Sequence, residues 1–351
     1  MAEMFDNPMG TDGFEFIEFT APDVTLLHDL FTRMGFEAVA RHKNRAVTLY
    51  RQNGVNFLVN GEPNSFAADF AAKHGPSACG FAIRVKDAAN AYDRALEKGA
   101  DAITNKPDTV AMDVPKIEGI GGSILYMVDR YGDQDTYADE FEPIDGVDQH
   151  PKGVGLKFID HLTHNVERGE MRTWSGYYER LFNFREIRYF DIKGSKTGLF
   201  SQAMTSPDGK VRIPLNESAD DKSQIAEFLK EYNGEGIQHI ALYTDNVYET
   251  VEAMRERGVG FLDTPETYYD MIDERVPGHH EDLERMRKNR ILIDADEETH
   301  QQLLLQIFTE NCIGPIFFEI IQRKGNEGFG EGNFRALFEA IERDQEKRGV
   351  L

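Results

Sequence analysis

The sequence predicts an α+β protein of two domains, each a pair of βαβββ modules. Three observations lead there: 351 residues of which 40% are hydrophobic, an internal match between the two halves, and one polar stretch separating them. A single core rarely grows past about 250–300 residues, so a chain of this length is expected to divide.

The elements follow in order. GFEFIEFTAPD, Gly13 to Asp23, is a β-patterned run that reaches a polar turn, and VTLLHDLFTRMGF at 24–36 has helical spacing. AVTLYRQNGVNFLVNG at 46–61 is β-rich. GFAIRVKDAANAYDRALEKGA, Gly80 to Ala100, repeats the order of strand, turn and helix, with Gly99 as its stop, and SILYMVDR at 123–130 completes the half. EPIDGVDQHPKG, 142–153, is the predicted linker, which divides residues 1–150 from 151–351. GLKFIDHLTHN, Gly155 to Asn165, matches the first run, and a helix ending WSGYYERLFNF at 184 leads into REIRYFDIKG at 185–194. GIQHIALYTDNVYETVEAMRERGV, Gly236 to Val259, matches Gly80 to Ala100, with Gly258 in the place of Gly99. LLLQIFT and PIFFEIIQR supply the last strands, up to residue 323. EDLERMRKNR, 281–290, is a helical insertion in the fourth unit without a counterpart in the second. NFRALFEAIERD sets Phe334, Leu337, Phe338 and Ile341 on one face behind an Asn333 cap and predicts a terminal helix over about 333–347, either packed on the domain or serving as a lid.

Charge narrows the partners. Against 39 Lys and Arg stand 62 Asp and Glu, a net charge of -23 without any basic run, so nucleic acid and anionic membrane surfaces are unsuitable. MAEMFDNPMG is not a positive segment followed by an apolar one, and no apolar window approaches the roughly 18 residues of a membrane span. The two cysteines, Cys79 and Cys312, form no CxxC. A soluble protein of the reducing cytoplasm is expected.

In the repeat, Phe19 stands opposite His161, Ile83 opposite His239 and, with Arg130 on Arg323, Tyr126 opposite Glu319. Three apolar strands of the second half thus each carry a polar group that is costly to bury alone. A metal ion removes that cost. Two imidazoles and one carboxylate are the ligand set of non-haem iron with open positions, and His2Glu also serves zinc, so the residues leave both metals open. No HExxH is present. His164, three positions after His161, falls on the opposite face of a regular strand, and His279 and His280 before Glu281 mark a helix entrance in the insertion. GFGEGN at 328–333 lacks the Lys-Ser/Thr and strand-to-helix setting of a phosphate loop.

Taken together, FIDHLTHNV, SQAMTSP with PLNE, KSQI, GIQHIAL, LLLQIFT, FFEIIQRKG and GFGEGNF resemble the 4-hydroxyphenylpyruvate dioxygenase family of the vicinal oxygen chelate superfamily. The motifs span roughly 155–340, and the two-half layout extends the likeness to the whole chain. The resemblance implies glyoxalase-like modules, with a half-open barrel in the C-terminal domain that holds Fe(II) through His161, His239 and Glu319, and a metal-free N-terminal domain. It implies Ser201, Asn216, Gln224, Gln306 and Asn333 around the substrate or its polar network, with Phe308, Phe317, Phe329 and Phe334 as walls. Gln238 matches a family active-site glutamine as well, although strand alternation points it away from His239. The implied reaction takes 4-hydroxyphenylpyruvate and O2 to homogentisate and CO2 in tyrosine and phenylalanine breakdown, in a dimer or tetramer. Benzylic hydroxylation to hydroxymandelate on the same ligands is the nearest rival. A zinc or nickel isomerase or hydrolase and a non-enzymatic binding protein of the same fold are the others.

Overall fold

The computed structural model describes residues 4–103, 110–132, 134, 136–193, 197–296, 301–330, 332–333 and 349. The first half runs β1 (Phe14–Thr20), α1 (Thr25–Arg33), β2 (Glu37–His42), β3 (Val47–Gln52), β4 (Val55–Asn60), α2 (Phe66–His74), β5 (Ser77–Arg84), α3 (Ala88–Glu97), β6 (Lys116–Glu118), β7 (Ile124–Val128) and β8 (Phe141–Pro143). The second runs β9 (Leu156–Val166), α4 (Met171–Phe182), β10 (Arg185–Lys193), β11 (Gly198–Thr205), β12 (Arg212–Ser218), α5 (Gln224–Tyr232), β13 (Gly236–Thr244), α6 (Val247–Glu256), α7 (Glu266–Asp270), α8 (Ile272–Arg275), α9 (Leu283–Asn289), β14 (Leu292–Ala295), β15 (Leu303–Phe308) and β16 (Phe317–Lys324). Each half forms one eight-stranded sheet, in the orders β6-β7-β5-β1-β4-β3-β2-β8 and β10-β11-β12-β9-β13-β16-β15-β14. Seven strands correspond one to one, and β8 and β14 extend opposite ends. These are two βαβββ-type domains, and the second sheet curls into a half-open barrel.

The helices that cover the outer faces are short and amphipathic. α1 buries Leu27, Leu30 and Phe31, and α6 buries Val247, Val251 and Met254 at helical spacing. Asp87 and Asn246 cap α3 and α6 by accepting the N–H of Asn90 and Glu249, and Gly99 and Gly258, at φ 83° and 81°, end the matching turns. The predicted linker begins inside a strand, because Glu142 and Pro143 pair with β2 as β8. Its far end is pinned by Gln52, whose Oε1 accepts the N–H of Val154 (2.8 Å) and Leu156 (3.0 Å).

The sheet register corrects two of the residue equivalences. Between the pairs Ile237–His164 and His239–Thr163 the strand β13 holds one extra residue, Gln238, and between Ala241–His161 and Leu242–Ile159 the strand β9 holds Asp160. The same two bulges recur in the first half, at Cys79 in β5 and at Glu15–Phe16 in β1. His161 therefore corresponds to Phe16, and His239 to Gly80, which stands as far before its cap Asp87 as His239 does before Asn246. Phe19 and Ile83 belong to the helix-side core instead. Tyr126 keeps its match to Glu319, since each faces the corresponding alanine, Ala82 or Ala241. The first half's inner face is closed: Phe16, Tyr126 and Tyr137 fill it beneath Val110, Ala111 and Met112. Tyr126 donates to Glu18 across the space above Gly80, at 2.6 Å.

Candidate metal centre

Three adjacent strands of the second sheet bring His161, His239 and Glu319 to one point of the barrel interior. Glu319 Oε2 lies 3.2 Å from His161 Nε2 and 3.4 Å from His239 Nε2, and the two Nε2 atoms are 3.4 Å apart. Among the described residues this is the one group of ligand-bearing side chains close enough to hold a metal ion, and all three are buried.

The bulges explain why both imidazoles are presented correctly. An extra residue breaks alternation, so neighbours on the strand share a side. Asp160 thereby reaches His161 Nδ1 at 2.8 Å, and Gln238 Oε1 reaches His239 Nδ1 at 3.0 Å. With the proton of each ring on Nδ1, where its acceptor needs it, each Nε2 keeps an inward lone pair, and that of His239 also meets the Thr163 hydroxyl at 2.9 Å. Two lone pairs and a carboxylate turned on one another in a buried site repel unless a proton or a metal ion stands between them. Glu319 Oε1 is also buried without a hydrogen-bond partner. Donors 3.2–3.4 Å apart suit one divalent ion, whose bonds to nitrogen and oxygen run about 2.1 Å. The residues thus fit a metal.

The charges follow from the packing. Burial opposes ionisation of Glu319, yet the His161 and His239 rings beside it pull its carboxyl down to about 2. Burial likewise works against Asp160, and the Arg323 guanidinium, which grips both its oxygens at 2.7 and 2.8 Å, holds it well below the usual carboxylate range. Burial pushes His239 down, whereas at His161 the Glu319 and Asp160 carboxylates outweigh burial and move it up.

A pocket opens from this point. Ser201, Asn216, Gln224, Gln238, Gln306, Phe308, Phe317 and Phe329 line it, together with Thr163, Phe190, Ile192, Leu199, Ala203 and Pro214. Phe317 stacks on the His239 ring at 5.0 Å, and Phe329 meets His161 edge-on at 5.5 Å. Gln238 is turned into the pocket, contrary to the alternation expected from sequence, because it is the bulge residue itself. Asn333 is not one of the residues that line the pocket; it is fully buried in the turn that follows Phe329, and its Oδ1 accepts from Tyr268 at 2.7 Å. Phe334 and the rest of the terminal helix lie outside the described residues. His164 faces the helices, bonded to Tyr178 at 2.7 Å, and His279 bonds Asp273 at 3.0 Å ahead of α9. Sequence reasoning missed Asp160 and Arg323; the only trace was an Asp directly before His161, which alternation assigns to the other face.

Comparison with known proteins gives the same outline. The model of the hydroxyphenylpyruvate dioxygenase N-terminal domain matches residues 5–142, and that of the glyoxalase, bleomycin resistance protein and dioxygenase superfamily matches 158–271. The chain is 58% identical over 348 residues to a 4-hydroxyphenylpyruvate dioxygenase of Pseudomonas aeruginosa, covering 98% of this chain and 97% of that one. It is 59% identical over 350 residues to hemolysin VllY of Vibrio vulnificus, with 98% of each covered. Among solved structures, a fusion of a xylose isomerase-like TIM barrel with 4-hydroxyphenylpyruvate dioxygenase superposes with a TM-score of 0.82 at 31% identity, over 97% of this chain and 54% of that one. A mutant of 4-hydroxymandelate synthase from Streptomyces coelicolor gives 0.81 at 26%, over 95% and 99%. With two glyoxalase-type sheets, a buried His-His-Glu centre in the second and end-to-end identity above half, this chain belongs to the 4-hydroxyphenylpyruvate dioxygenase family of the vicinal oxygen chelate superfamily.

Proposed function

We propose that the chain is an Fe(II)-dependent dioxygenase that converts 4-hydroxyphenylpyruvate and O2 to homogentisate and CO2, with His161, His239 and Glu319 as the iron ligands. The observation that carries this reading is the convergence of two Nε2 atoms and a carboxylate on one point, with acceptors at both Nδ1 atoms that favour the ligand tautomer. Bound there, Fe(II) supplies the activation of O2 that oxidative decarboxylation of a 2-oxo acid requires.

The chain's own residues hold and shield the substrate. One carboxylate and two neutral imidazoles leave a divalent ion one positive charge in excess, which the single carboxylate of the substrate matches. Gln238 Oε1 is committed to His239 and, at 3.4 Å, to Asn216 Nδ2, so what its amide offers a ligand is its NH2 group. Gln306 Oε1 is a buried acceptor without a partner, suited to a phenolic O–H. Phe308, Phe317 and Phe329 give the aromatic ring flat apolar walls and exclude water. Neutral amides rather than carboxylates keep repulsion from an anionic substrate low. The same reading assigns residues 1–150 to a metal-free domain and 151–351 to the catalytic one, in a dimer or tetramer of the cytoplasm.

The test is product identity. Iron-loaded protein given 4-hydroxyphenylpyruvate and oxygen is expected to yield homogentisate, with O2 used and CO2 released in equal amounts. Hydroxymandelate as product would move the chain to the reaction of the synthase that it superposes on, and absence of oxygen uptake by folded, iron-loaded protein would defeat the dioxygenase reading.

A further inference from the structure

The segment between α6 and β14, which the first half lacks, packs against the turn that follows Phe329. We propose that two residues of this insertion, Tyr268 in α7 and Arg275 in α8, are positioning residues: they lock the side-chain amide of Asn333 so that its NH2 group is kept free to donate to the phenolic oxygen of the substrate. The proposal rests on the substrate class inferred above.

Counting hydrogen bonds at one oxygen supports the first half of this. Tyr268 Oη lies 2.6 Å from Arg275 Nη2, 2.9 Å from Ile293 N, 2.7 Å from Asn333 Oδ1 and 3.1 Å from Ile293 O. A phenol accepts two bonds and donates one. The two nitrogen donors fill its lone pairs, and its single proton goes to the nearer oxygen, Asn333 Oδ1. Ile293 O has its own donor, Arg275 Nη2 at 2.6 Å. The guanidinium also reaches Asn333 Oδ1 at 3.3 Å and sits 4.6 Å from the Tyr268 ring centre. Both contacts to the Asn333 carbonyl end therefore come from the insertion.

The other end of that amide is unfilled. Asn333 is 0% exposed and its Nδ2 has no partner, as Gln306 Oε1 has none. Buried polar groups are rarely left this way without a purpose. The two lie on either side of one turn: Asn333 N–H bonds Gly330 O at 2.8 Å, and any side chain at Gly330, whose φ is 77°, would run into the Gln306 amide. An open acceptor in the pocket lining and an open donor across the turn from it complement a phenol, which gives one proton and takes one. Tyr268 also packs on the cluster of Leu292, Phe308 and Phe317, so the insertion supports the ring's walls as well as its polar end.

Tyr268→Phe keeps the ring and removes the hydroxyl. The measurement is the anaerobic dissociation constant of the Fe(II)-loaded enzyme for 4-hydroxyphenylpyruvate and for phenylpyruvate, with kcat/KM for the former on the same samples. The wild type is expected to prefer the phenol by roughly tenfold, the worth of one hydrogen bond to a buried site, and Tyr268→Phe to lose most of that preference with unchanged iron content. In an Asn333→Ala background, Tyr268→Phe is expected to have no further effect, since it acts through that amide. Equal weakening of both acids, an undiminished preference in Tyr268→Phe, or a full effect retained on top of Asn333→Ala would overturn the proposal. A wild type that binds the two acids alike would overturn it too, whereas preferential binding without turnover would defeat the dioxygenase reading and leave this one decided by the binding ratio.

Discussion

Asp160 and Gln238 set the metal centre's chemistry without belonging to it, because each fixes which nitrogen of a neighbouring imidazole carries a proton. Carboxylate partners of ligand histidines raise ligand basicity, and Asp160 keeps its charge through Arg323. Asp160→Asn is expected to lower iron affinity about 10- to 100-fold with little change in the fold, checked by anaerobic iron titration and circular dichroism; wild-type affinity would contradict it. His164 illustrates a different role for the same side chain. Burial pushes it down to about 3, and its Nε2 bonds Tyr178. Since its folded-state value lies below the unfolded one near 6.5, the unfolded chain takes up a proton that the folded chain refuses, and stability falls as pH drops from about 6.5 toward 3. His164→Gln should flatten the acid side of the stability profile by about 1.4 kcal/mol per pH unit, measured by urea unfolding between pH 6 and 4. An unaltered slope would mean that other groups govern acid unfolding.

At the scale of elements, β16 does two things at once. Glu319 faces the metal site from it, and four residues on, Arg323 binds Asp160 while its Nη1 reaches Asn326 O (3.1 Å) and Gly328 O (2.6 Å) in the turn that carries Phe329. Lysine cannot span a bidentate carboxylate and two carbonyls together. Arg323→Lys is therefore expected to reduce the yield of homogentisate per O2 consumed, by severalfold, because the Phe329 wall loosens. Truncation before Gly328, which removes that wall and the terminal segment, should impair this coupling more than iron binding. Oxygen and product assays on one sample check both, and full coupling in either variant would separate the turn from the chemistry. The strands themselves were legible because apolar β-patterned runs with glycine stops are local signals, and the His, His and Glu stood out as polar groups where such runs should be apolar. The bulges were not legible. One extra residue flips alternation, and nothing local in FIDHL or GIQHIAL announces it, so regular alternation turns Asp160 and Gln238 to the wrong side and pairs Phe19 and Ile83, in place of Phe16 and Gly80, with the two histidines.

Across the whole molecule, the repeat has become a division of labour. In the first half, Phe16, Gly80 and Tyr126 occupy the places of the triad and Glu18 accepts the hydrogen bond of the Tyr126 hydroxyl, so its inner face is packed solid. That half still braces the strand that carries Glu319. Phe318, beside Glu319, is 0% exposed and its ring lies 6.4 Å from Phe19, 6.5 Å from Phe31 and 5.9 Å from Phe57. Phe318→Ala should cost about 3–5 kcal/mol and weaken iron retention at the same time, seen as a lower thermal midpoint and faster loss of iron to a chelator. The division into two similar halves was readable from the internal match; how one half braces the other was not, since that contact joins residues some 300 positions apart in sequence, such as Phe19 and Phe318. The central claim is that a single iron is held by His161, His239 and Glu319, and it is tested most directly by counting iron after anaerobic Fe(II) loading and desalting of the wild type and Glu319→Ala. One iron per chain is expected in the wild type and almost none in a variant that keeps its circular dichroism spectrum. Two irons per chain, or a variant that retains iron as the wild type does, would contradict it.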